Sequence, residues 1–259
     1  MTNPLKIIVL TDLHICAPGE AIIGLDPTAR LLAVLTQALT EHPDAAEIIF
    51  TGDLTHYGRP EDYTALISAL PANSPPIHLM LGNHDRRAPF LAAFPDAPTT
   101  PQGHVQQHID LPGWRLILLD TLDDPQTGTE HSGLLCDARL RWLDHALATA
   151  GPRKTIVFAH HPPFDTGFDG MDAIKLRDGP ELMARLAAAG VHLLVCGHIH
   201  RTIFSVTGGV ACAVFKSPCH QMPLALGPAS IHLSVDEPGA YGLLLLREDG
   251  VVVHSQDVF

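Results

Sequence analysis

Short apolar runs alternate with helix-like segments over the first two-thirds of the chain. Five runs occupy residues 6–10, 46–51, 77–81, 154–159 and 191–196. Continuous apolar runs of this length, rich in Ile, Leu and Val, are typical of strands that are buried on both faces. The pattern therefore predicts a sheet whose strands lie in the core.

The segments between these runs have helical spacing. Asp26-Pro27 predicts an N-cap followed by proline at the first helical position, and Leu31, Leu35 and Leu39 then recur on one face. Further helices are predicted from Pro60 and over 86–94, 137–149 and 180–189. The resulting βαβαβ order predicts a parallel sheet with right-handed crossovers.

The later part of the chain has a different pattern. Residues 104–110 and 114–120 predict an antiparallel pair joined at Pro112-Gly113, and 162–178 predicts a loop. After His200, β-like runs at 202–206, 210–215, 230–235, 241–247 and 251–254 are separated by Gly or Pro, which suggests a second sheet packed on the first. Because no repeat or linker interrupts the pattern, we predict one domain over residues 1–259.

Polar residues follow each of the five apolar runs. Their endings are Asp12-Leu13-His14, Gly52-Asp53, Gly82-Asn83-His84-Asp85, His160-His161-Pro162 and Gly197-His198-Ile199-His200. Ligands of open α/β sheets bind beyond the carboxyl ends of the strands. A single Gly-Asp after a strand is commonly a turn, but five such endings in succession predict a shared metal site.

The motif order D-x-H, G-D, G-N-H-D, H-x-P and G-H-x-H resembles the calcineurin-like metallophosphoesterase superfamily from about Leu5 to His200. The flanking segments are more similar to bacterial class III cyclic-nucleotide and glycerophosphodiester phosphodiesterases; these segments are Pro18-Gly19-Glu20, Gly58-Arg59-Pro60-Glu61-Asp62-Tyr63 and Ser217-Pro218-Cys219-His220-Gln221. The resemblance implies an α/β fold, a four-layer αββα sandwich of two mixed sheets flanked by helices.

The resemblance also implies two metal ions. It assigns one ion to Asp12, His14, Asp53 and His200, and the other to Asp53, Asn83, His160 and His198, with Asp53 bridging. A nitrogen and oxygen ligand set without thiolate suits Mn, Fe, Zn or Co. Cys16 and Cys196 are therefore expected to be small buried residues. The H-x-P spacing favours His160 as the ligand, and the adjacent His161 remains the alternative.

The reaction implied by the resemblance is hydrolysis of a small phosphodiester by a metal-bridging hydroxide. His84 is expected to bind a phosphate oxygen and to protonate the leaving group, whereas Asp85 is expected to be structural. Asn83 and His220 are expected to contact the substrate as well. The expected substrates are 3′,5′- or 2′,3′-cyclic nucleotides, glycerophosphodiesters, or adventitious aryl diesters.

Three other functions are alternatives to hydrolysis of a small phosphodiester. Ser/Thr protein phosphatases of the superfamily carry G-D-x-x-D-R-G, but here His56 stands in place of the second Asp, which disfavours that activity. A phosphomonoesterase of the same superfamily remains an alternative. A non-catalytic scaffold is the third, although such proteins usually lose ligands that this chain retains.

Composition and charge restrict the partners and the compartment. A formal net charge of −12 without a basic cluster argues against extended nucleic acid as substrate. No apolar run approaches the roughly 18 residues of a membrane span, and no signal region is evident, so we predict a cytoplasmic protein. The five scattered cysteines fit reduced thiols. We also expect a homo-oligomer, a dimer or higher.

Seventeen histidines are many for 259 residues. Only those placed by a strand end and a motif are assigned to the site. Of the others, we expect His42, His104, His131 and His145 to lie at the surface.

Overall fold

The computed structural model describes residues 4–228 and 231–259, which contain eleven strands and six helices. The strands are β1 (Leu5–Leu10), β2 (Glu47–Phe50), β3 (Ile77–Leu79), β4 (Gln107–Leu111), β5 (Trp114–Leu119), β6 (Lys154–Ala159), β7 (Leu193–Cys196), β8 (Ile203–Thr207), β9 (Val210–Val214), β10 (Gly239–Leu246) and β11 (Val251–Val258). The helices are α1 (Pro27–Glu41), α2 (Pro60–Ala69), α3 (Arg87–Ala93), α4 (Asp137–Ala148), α5 (Asp169–Asp172) and α6 (Gly179–Ala188).

All five helices predicted from the sequence are present. The first begins as predicted, because the Asp26 carboxylate accepts hydrogen bonds from the backbone N–H groups of Thr28 and Ala29. Such a cap satisfies N–H groups that have no partner within the helix. The single-turn helix α5 lies inside the segment that was predicted to be a loop, 162–178.

The first sheet has the strand order β11-β10-β1-β2-β3. Its strands β1, β2 and β3 are parallel, as the βαβαβ pattern predicts, and β10 pairs antiparallel with β1. Helices α1 and α2 cover the outer face of this sheet through Leu31, Leu35, Tyr63 and Leu66.

The second sheet has the strand order β4-β5-β6-β7-β9-β8. The predicted antiparallel pair of β4 and β5 forms its edge. The expectation that the runs after His200 make up the second sheet is wrong in part, because β8 and β9 join this sheet while β10 and β11 return to the first. The run predicted at 230–235 forms only an isolated bridge between Gln221 and Val235 within its described part, and Ser230 lies outside the described residues.

The two sheets face each other and form the central layer of the core. Ile7, Val9 and Ile49 of the first sheet pack against Ile156 and Phe158 of the second. Helices α4 and α6 cover the outer face of the second sheet. The predicted four-layer αββα sandwich is confirmed.

The loops that follow β1, β2, β3, β6 and β7 meet at one edge of the sandwich. A direct link between the two sheets at this edge is the hydrogen bond from Nδ1 of His160, after β6, to the carbonyl oxygen of Thr51, after β2, at 3.0 Å. Within 4–228 and 231–259, no helix has both the length and the apolar character that a bilayer crossing requires.

Candidate metal centre

Four side chains from the loops after β1, β2 and β7 form the first candidate metal group. The ligand atoms of Asp12, His14, Asp53 and His200 all lie within 4.8 Å of one another. The Nε2 atoms of His14 and His200 are 2.9 Å apart, and Nε2 of His200 is 3.4 Å from a carboxylate oxygen of Asp12. These are the residues that the family resemblance assigned to one metal ion.

A second group adjoins the first and shares Asp53 with it. Nε2 of His160 lies 3.3 Å from the Asp53 carboxylate and 3.1 Å from Oδ1 of Asn83. The same Asn83 oxygen is 2.8 Å from Nδ1 of His198. The structure thus brings together all seven predicted ligands in two groups that meet at Asp53.

The backbone at these positions is strained. Asp12, His14, Asp53, His198 and His200 have φ angles of 55°, 49°, 48°, 73° and 54°. A non-glycine residue in this left-handed region costs about 1–3 kcal/mol, and such residues concentrate at functional sites. Five strained residues in one cluster are therefore difficult to explain by folding stability alone.

Gly82 allows the loop after β3 to approach the loop after β2. A Cβ atom at this position would lie 2.3 Å from Oδ1 and 2.4 Å from the backbone nitrogen of Asp53, and 2.7 Å from the His160 ring. Any side chain would therefore displace the shared carboxylate. Glycine is required here by the close packing of the two groups.

The donor chemistry fits two metal ions. Burial lowers the pKa of His14 and of His198 well below the ordinary value and so favours the neutral ring, the form that ligates a metal. Burial acts in the same direction on His160 and His200, but the facing carboxylates of Asp53 and Asp12 outweigh it and raise the pKa of His160 to about 9 and that of His200 above the ordinary value. Nε2 of His198 is buried and has no hydrogen-bond partner among residues 4–228 and 231–259. Oxygen and imidazole nitrogen without thiolate suit Mn, Fe, Zn or Co.

The cysteines near the ligands do not join the two groups. Cys16 is buried, and its Sγ contacts the backbone carbonyl of His14 at 3.5 Å. Cys196 is fully buried, and burial raises the pKa of its thiol well above the ordinary value. Both have the surroundings expected of small core residues.

His160 and His161 differ in what their ring nitrogens contact. His161 has Nδ1 at 2.8 Å from the Thr121 hydroxyl and Nε2 at 3.1 Å from the His131 carbonyl oxygen. His160 donates from Nδ1 to the Thr51 carbonyl and leaves Nε2 facing Asn83 and Asp53. The geometry therefore favours His160 as the ligand, since only this ring presents a nitrogen to the shared carboxylate.

His84 lies beside both groups. Its backbone N–H donates to Oδ1 of Asp53 at 2.8 Å, and its Nδ1 donates to the His56 carbonyl oxygen at 2.8 Å. The side chain lines the pocket in front of the metal groups. With Nδ1 held by the carbonyl, Nε2 is the nitrogen available to a substrate.

Asp85 is buried and connects the loop after β2 to the loop after β3. Its carboxylate accepts hydrogen bonds from the backbone of Gly82, Leu54 and Thr55 and from the Tyr63 hydroxyl. Burial raises the pKa of Asp85 to about 6, with the charge of Asp53 acting in the same direction. These contacts fit the structural role expected from the sequence.

The pocket over the metal groups has a volume of about 240 Å³ and is lined by both histidines and apolar side chains. The histidines include His220, whose Nδ1 is buried and has no partner in the part of the chain that the structure describes. Burial lowers the pKa of His220 to about 2, helped by His200, so this ring is neutral. The apolar lining includes Met171, Ile174, Met222, Ile231 and Leu233.

Two pocket histidines were missed as site residues. His131 was expected at the surface, but it is half-buried, lines the pocket and contacts Asn83. His56 was noted only as a departure from the protein phosphatase motif, yet its Nδ1 lies 3.1 Å from Nδ1 of His14. For His56 a usable signal was position, since it lies three residues after Asp53 in the loop that follows β2.

Comparison with known proteins identifies the family. Residues 5–202 match the family described as calcineurin-like phosphoesterase. A solved dimetal phosphatase from Danio rerio has the same fold, with a TM-score of 0.75 at 15% identity, covering 100% of this chain and 98% of that one. An αββα sandwich with an Asp, Asn and His cluster at its strand ends is the architecture of a metallophosphoesterase. This chain belongs to the calcineurin-like phosphoesterase family.

Curated bacterial relatives are similar over most of the chain. A protein of Rhodopseudomonas palustris named "Probable cyclic nucleotide phosphodiesterase" is 39% identical over 255 residues, covering 97% of this chain and 92% of the relative. A glycerophosphodiester phosphodiesterase of Enterobacter lignolyticus is 31% identical over 222 residues, covering 83% of this chain and 77% of the relative.

Proposed function

We propose that this protein hydrolyses small phosphodiesters at a two-metal centre. The observation that carries the proposal is the pair of ligand groups that share Asp53, one containing His14 and His200 and the other Asn83 and His160. These residues would hold two cations, which when bound would supply an acidified water as nucleophile and positive charge for the phosphate. We propose Mn, Fe, Zn or Co as the metals, because the donors are nitrogen and oxygen.

His84 acts on the leaving group in this scheme. Its Nδ1 donates to the His56 carbonyl, so Nε2 is directed to the pocket as the proton donor. An alkoxide leaves slowly unless it is protonated, and general acid help of this kind contributes about 10²–10⁴ in rate. Asn83 and His220 border the same space and are proposed to contact the bound ester.

The pocket favours a diester over a monoester. A diester carries one negative charge and a second organic group, whereas a monoester near neutral pH is closer to two charges. Among the described residues that line the pocket, none is Lys or Arg, and Met171, Ile174 and Met222 provide an apolar wall for the second group. The names of the relatives support cyclic nucleotides and glycerophosphodiesters as candidate substrates.

A cytoplasmic location and a homo-oligomer, dimer or higher, remain predictions. The cytoplasmic proposal is supported by the cysteines, all five of which are free in the described structure. The single domain over 1–259 is likewise a prediction.

The proposal is tested with a turnover panel on Mn-loaded protein. The panel contains 3′,5′-cyclic AMP, 2′,3′-cyclic AMP, glycerophosphocholine, a bis-aryl phosphate and a phosphomonoester. We expect at least one diester to be hydrolysed faster than the monoester, chelation to abolish turnover, and Mn, Co or Zn to restore it. Asp53→Asn is the matched control, since it removes the shared carboxylate with little change in shape.

Other outcomes would select the alternatives. A preference for the monoester would overturn the diesterase proposal in favour of a phosphomonoesterase. Absence of metal-dependent turnover on every ester would favour the non-catalytic scaffold. Metal analysis of pure active protein that finds one equivalent or none would exclude the two-metal scheme.

A further inference from the structure

Three histidine rings form a stack beside the two metal groups. The ring centroids of His56 and His84 are 5.0 Å apart at an interplanar angle of 20°, and those of His84 and His131 are 5.0 Å apart at 21°. All three rings are half-buried and line the same pocket. The central ring is the proposed acid, and neither outer ring has a role in the scheme described above.

The outer ring of His56 contacts a ligand of the first group. Nδ1 of His56 lies 3.1 Å from Nδ1 of His14, while Nε2 of His14 faces His200. If His14 offers the Nε2 lone pair to a metal, its proton must be on Nδ1, and that proton is donated to Nδ1 of His56. A bond at the far nitrogen fixes the tautomer and the ring orientation of a histidine ligand.

The outer ring of His131 contacts a ligand of the second group. The Asn83 amide nitrogen lies 3.0 Å from Nδ1 of His131, and Oδ1 of Asn83 faces His160 and His198. An amide can present either its oxygen or its nitrogen. Donation from the Asn83 amide nitrogen to His131 holds this nitrogen on the side that faces His131. Oδ1 of Asn83 is therefore directed toward the metal group.

The backbone of the loop that carries His131 also holds this residue beside Asn83. His131 has a φ of 66°, in the left-handed region, and its carbonyl oxygen accepts a hydrogen bond from Nε2 of the buried His161. His56 likewise acts through its backbone, because its carbonyl oxygen accepts from Nδ1 of His84. Each outer residue therefore makes contacts through both its ring and its main chain: His56 with His14 and His84, and His131 with Asn83 and His161.

We propose that His56 and His131 are positioning residues, one for each metal site: His56 orients His14, and His131 orients Asn83. His84 is held between them, so the acid keeps a fixed position relative to both sites. The inference rests on the two metal sites of the proposed function and adds the residues that set their separate affinities.

The test measures metal affinity in backgrounds that retain one site. Asn83→Ala leaves the His14 site, and His14→Ala leaves the Asn83 site. His56→Ala and His131→Ala are introduced into each background, and the Mn²⁺ and Zn²⁺ dissociation constants are measured by competition with a chelating dye. We expect His56→Ala to weaken only the His14 site, and His131→Ala only the Asn83 site, each by about 10- to 100-fold.

Asparagine variants provide the matched controls. In His56→Asn and His131→Asn, the amide oxygen can replace the Nδ1 acceptor, and we expect most of the affinity to return. Equal losses at both sites, no loss at either site, or asparagine variants as weak as the alanine variants would overturn the proposal. Thermal unfolding of the metal-free variants identifies any that fail to fold, and the asparagine variants then decide.

The result is separable from the proposed function, because affinity is measured without turnover. A wild-type protein that binds two metals but hydrolyses no diester would overturn the proposed function and leave this inference standing. Conversely, if the wild-type protein hydrolyses diesters but either alanine variant weakens both metal sites equally, the proposed function stands and this inference is overturned.

Discussion

Nδ1 of His160 donates to the carbonyl oxygen of Thr51 at 3.0 Å, and this bond directs Nε2 of His160 at the shared carboxylate of Asp53. The two residues come from different sheets, so the contact also fixes the distance between the two layers at the site. The neighbouring His161 has both ring nitrogens engaged by Thr121 and the His131 carbonyl. Two adjacent histidines thus have different tasks.

Replacing each of these two histidines in turn should show which one is the metal ligand. His160→Ala should reduce the metal content by one equivalent, because the Asn83 site loses a ligand. His161→Asn should keep both metals, because the amide can still contact the Thr121 hydroxyl. Metal content is measured by mass spectrometry after exhaustive dialysis, and loss of a metal in His161→Asn alone would reverse the assignment.

Replacement of His84 should affect substrates according to their leaving groups. His84→Ala should keep both metals and lower turnover by about 10²–10⁴ for diesters with alkoxide leaving groups. The loss should be much smaller for a nitrophenyl diester, because nitrophenolate leaves without a proton. Rates for the two substrates are compared at saturating concentration, and equal losses would show that His84 does not act as the acid.

Most of the fold could be predicted because its signal is local. The parallel strands β1, β2 and β3 are continuous apolar runs, and the helices between them have clear caps and faces. The assignment of β10 and β11 to the first sheet could not be predicted, since any apolar strand could pair at either open edge. In the structure the ring of Phe215 lies against Gly242 of β10, a contact between residues far apart in the chain that has no local sequence signal.

The site could be predicted where residues follow a strand directly. All seven predicted ligands lie in segments that follow strands and were singled out by the family resemblance, and the structure brings their side chains together. His131 could not be named, because it lies in the polar segment 121–135, whose path over the sheet edge has no periodicity. The contact of His56 with His14 depends on a left-handed backbone at His14, which no propensity predicts.

The cysteines differ in burial and therefore in the pKa of their thiols. Burial raises the pKa of Cys16 and Cys212 to about 11 and that of Cys219 to about 12. Cys136 is only partly buried; although burial alone would raise its pKa, hydrogen bonds from Arg139 at the start of α4 outweigh this effect and lower it below the ordinary value.

Cys136 should therefore be the first thiol to be alkylated. At pH 8 its thiolate population should exceed that of Cys16, because the pKa of Cys136 lies below the ordinary value whereas burial raises that of Cys16 to about 11. Iodoacetamide should add one label per chain rapidly, as counted by intact mass. Cys136→Ser should remove the rapid phase, and rapid labelling that persists in this variant would contradict the buried state of the other four.

Replacement of His220 should affect the diester rather than the metals. Its carbonyl oxygen accepts from Nδ1 of His200 at 2.9 Å, and alanine would preserve this contact. Its own Nδ1 is buried, has no partner among the described residues and borders the pocket, where a phosphate oxygen or an ester group can pair with it. His220→Ala should lower kcat/KM for a diester by about 1–3 kcal/mol, or roughly 5- to 150-fold, with both metals retained.

His145→Ala, which changes an exposed histidine of α4, is the control and should leave kcat/KM unchanged. Unchanged kinetics in His220→Ala would mean that the substrate does not reach this ring.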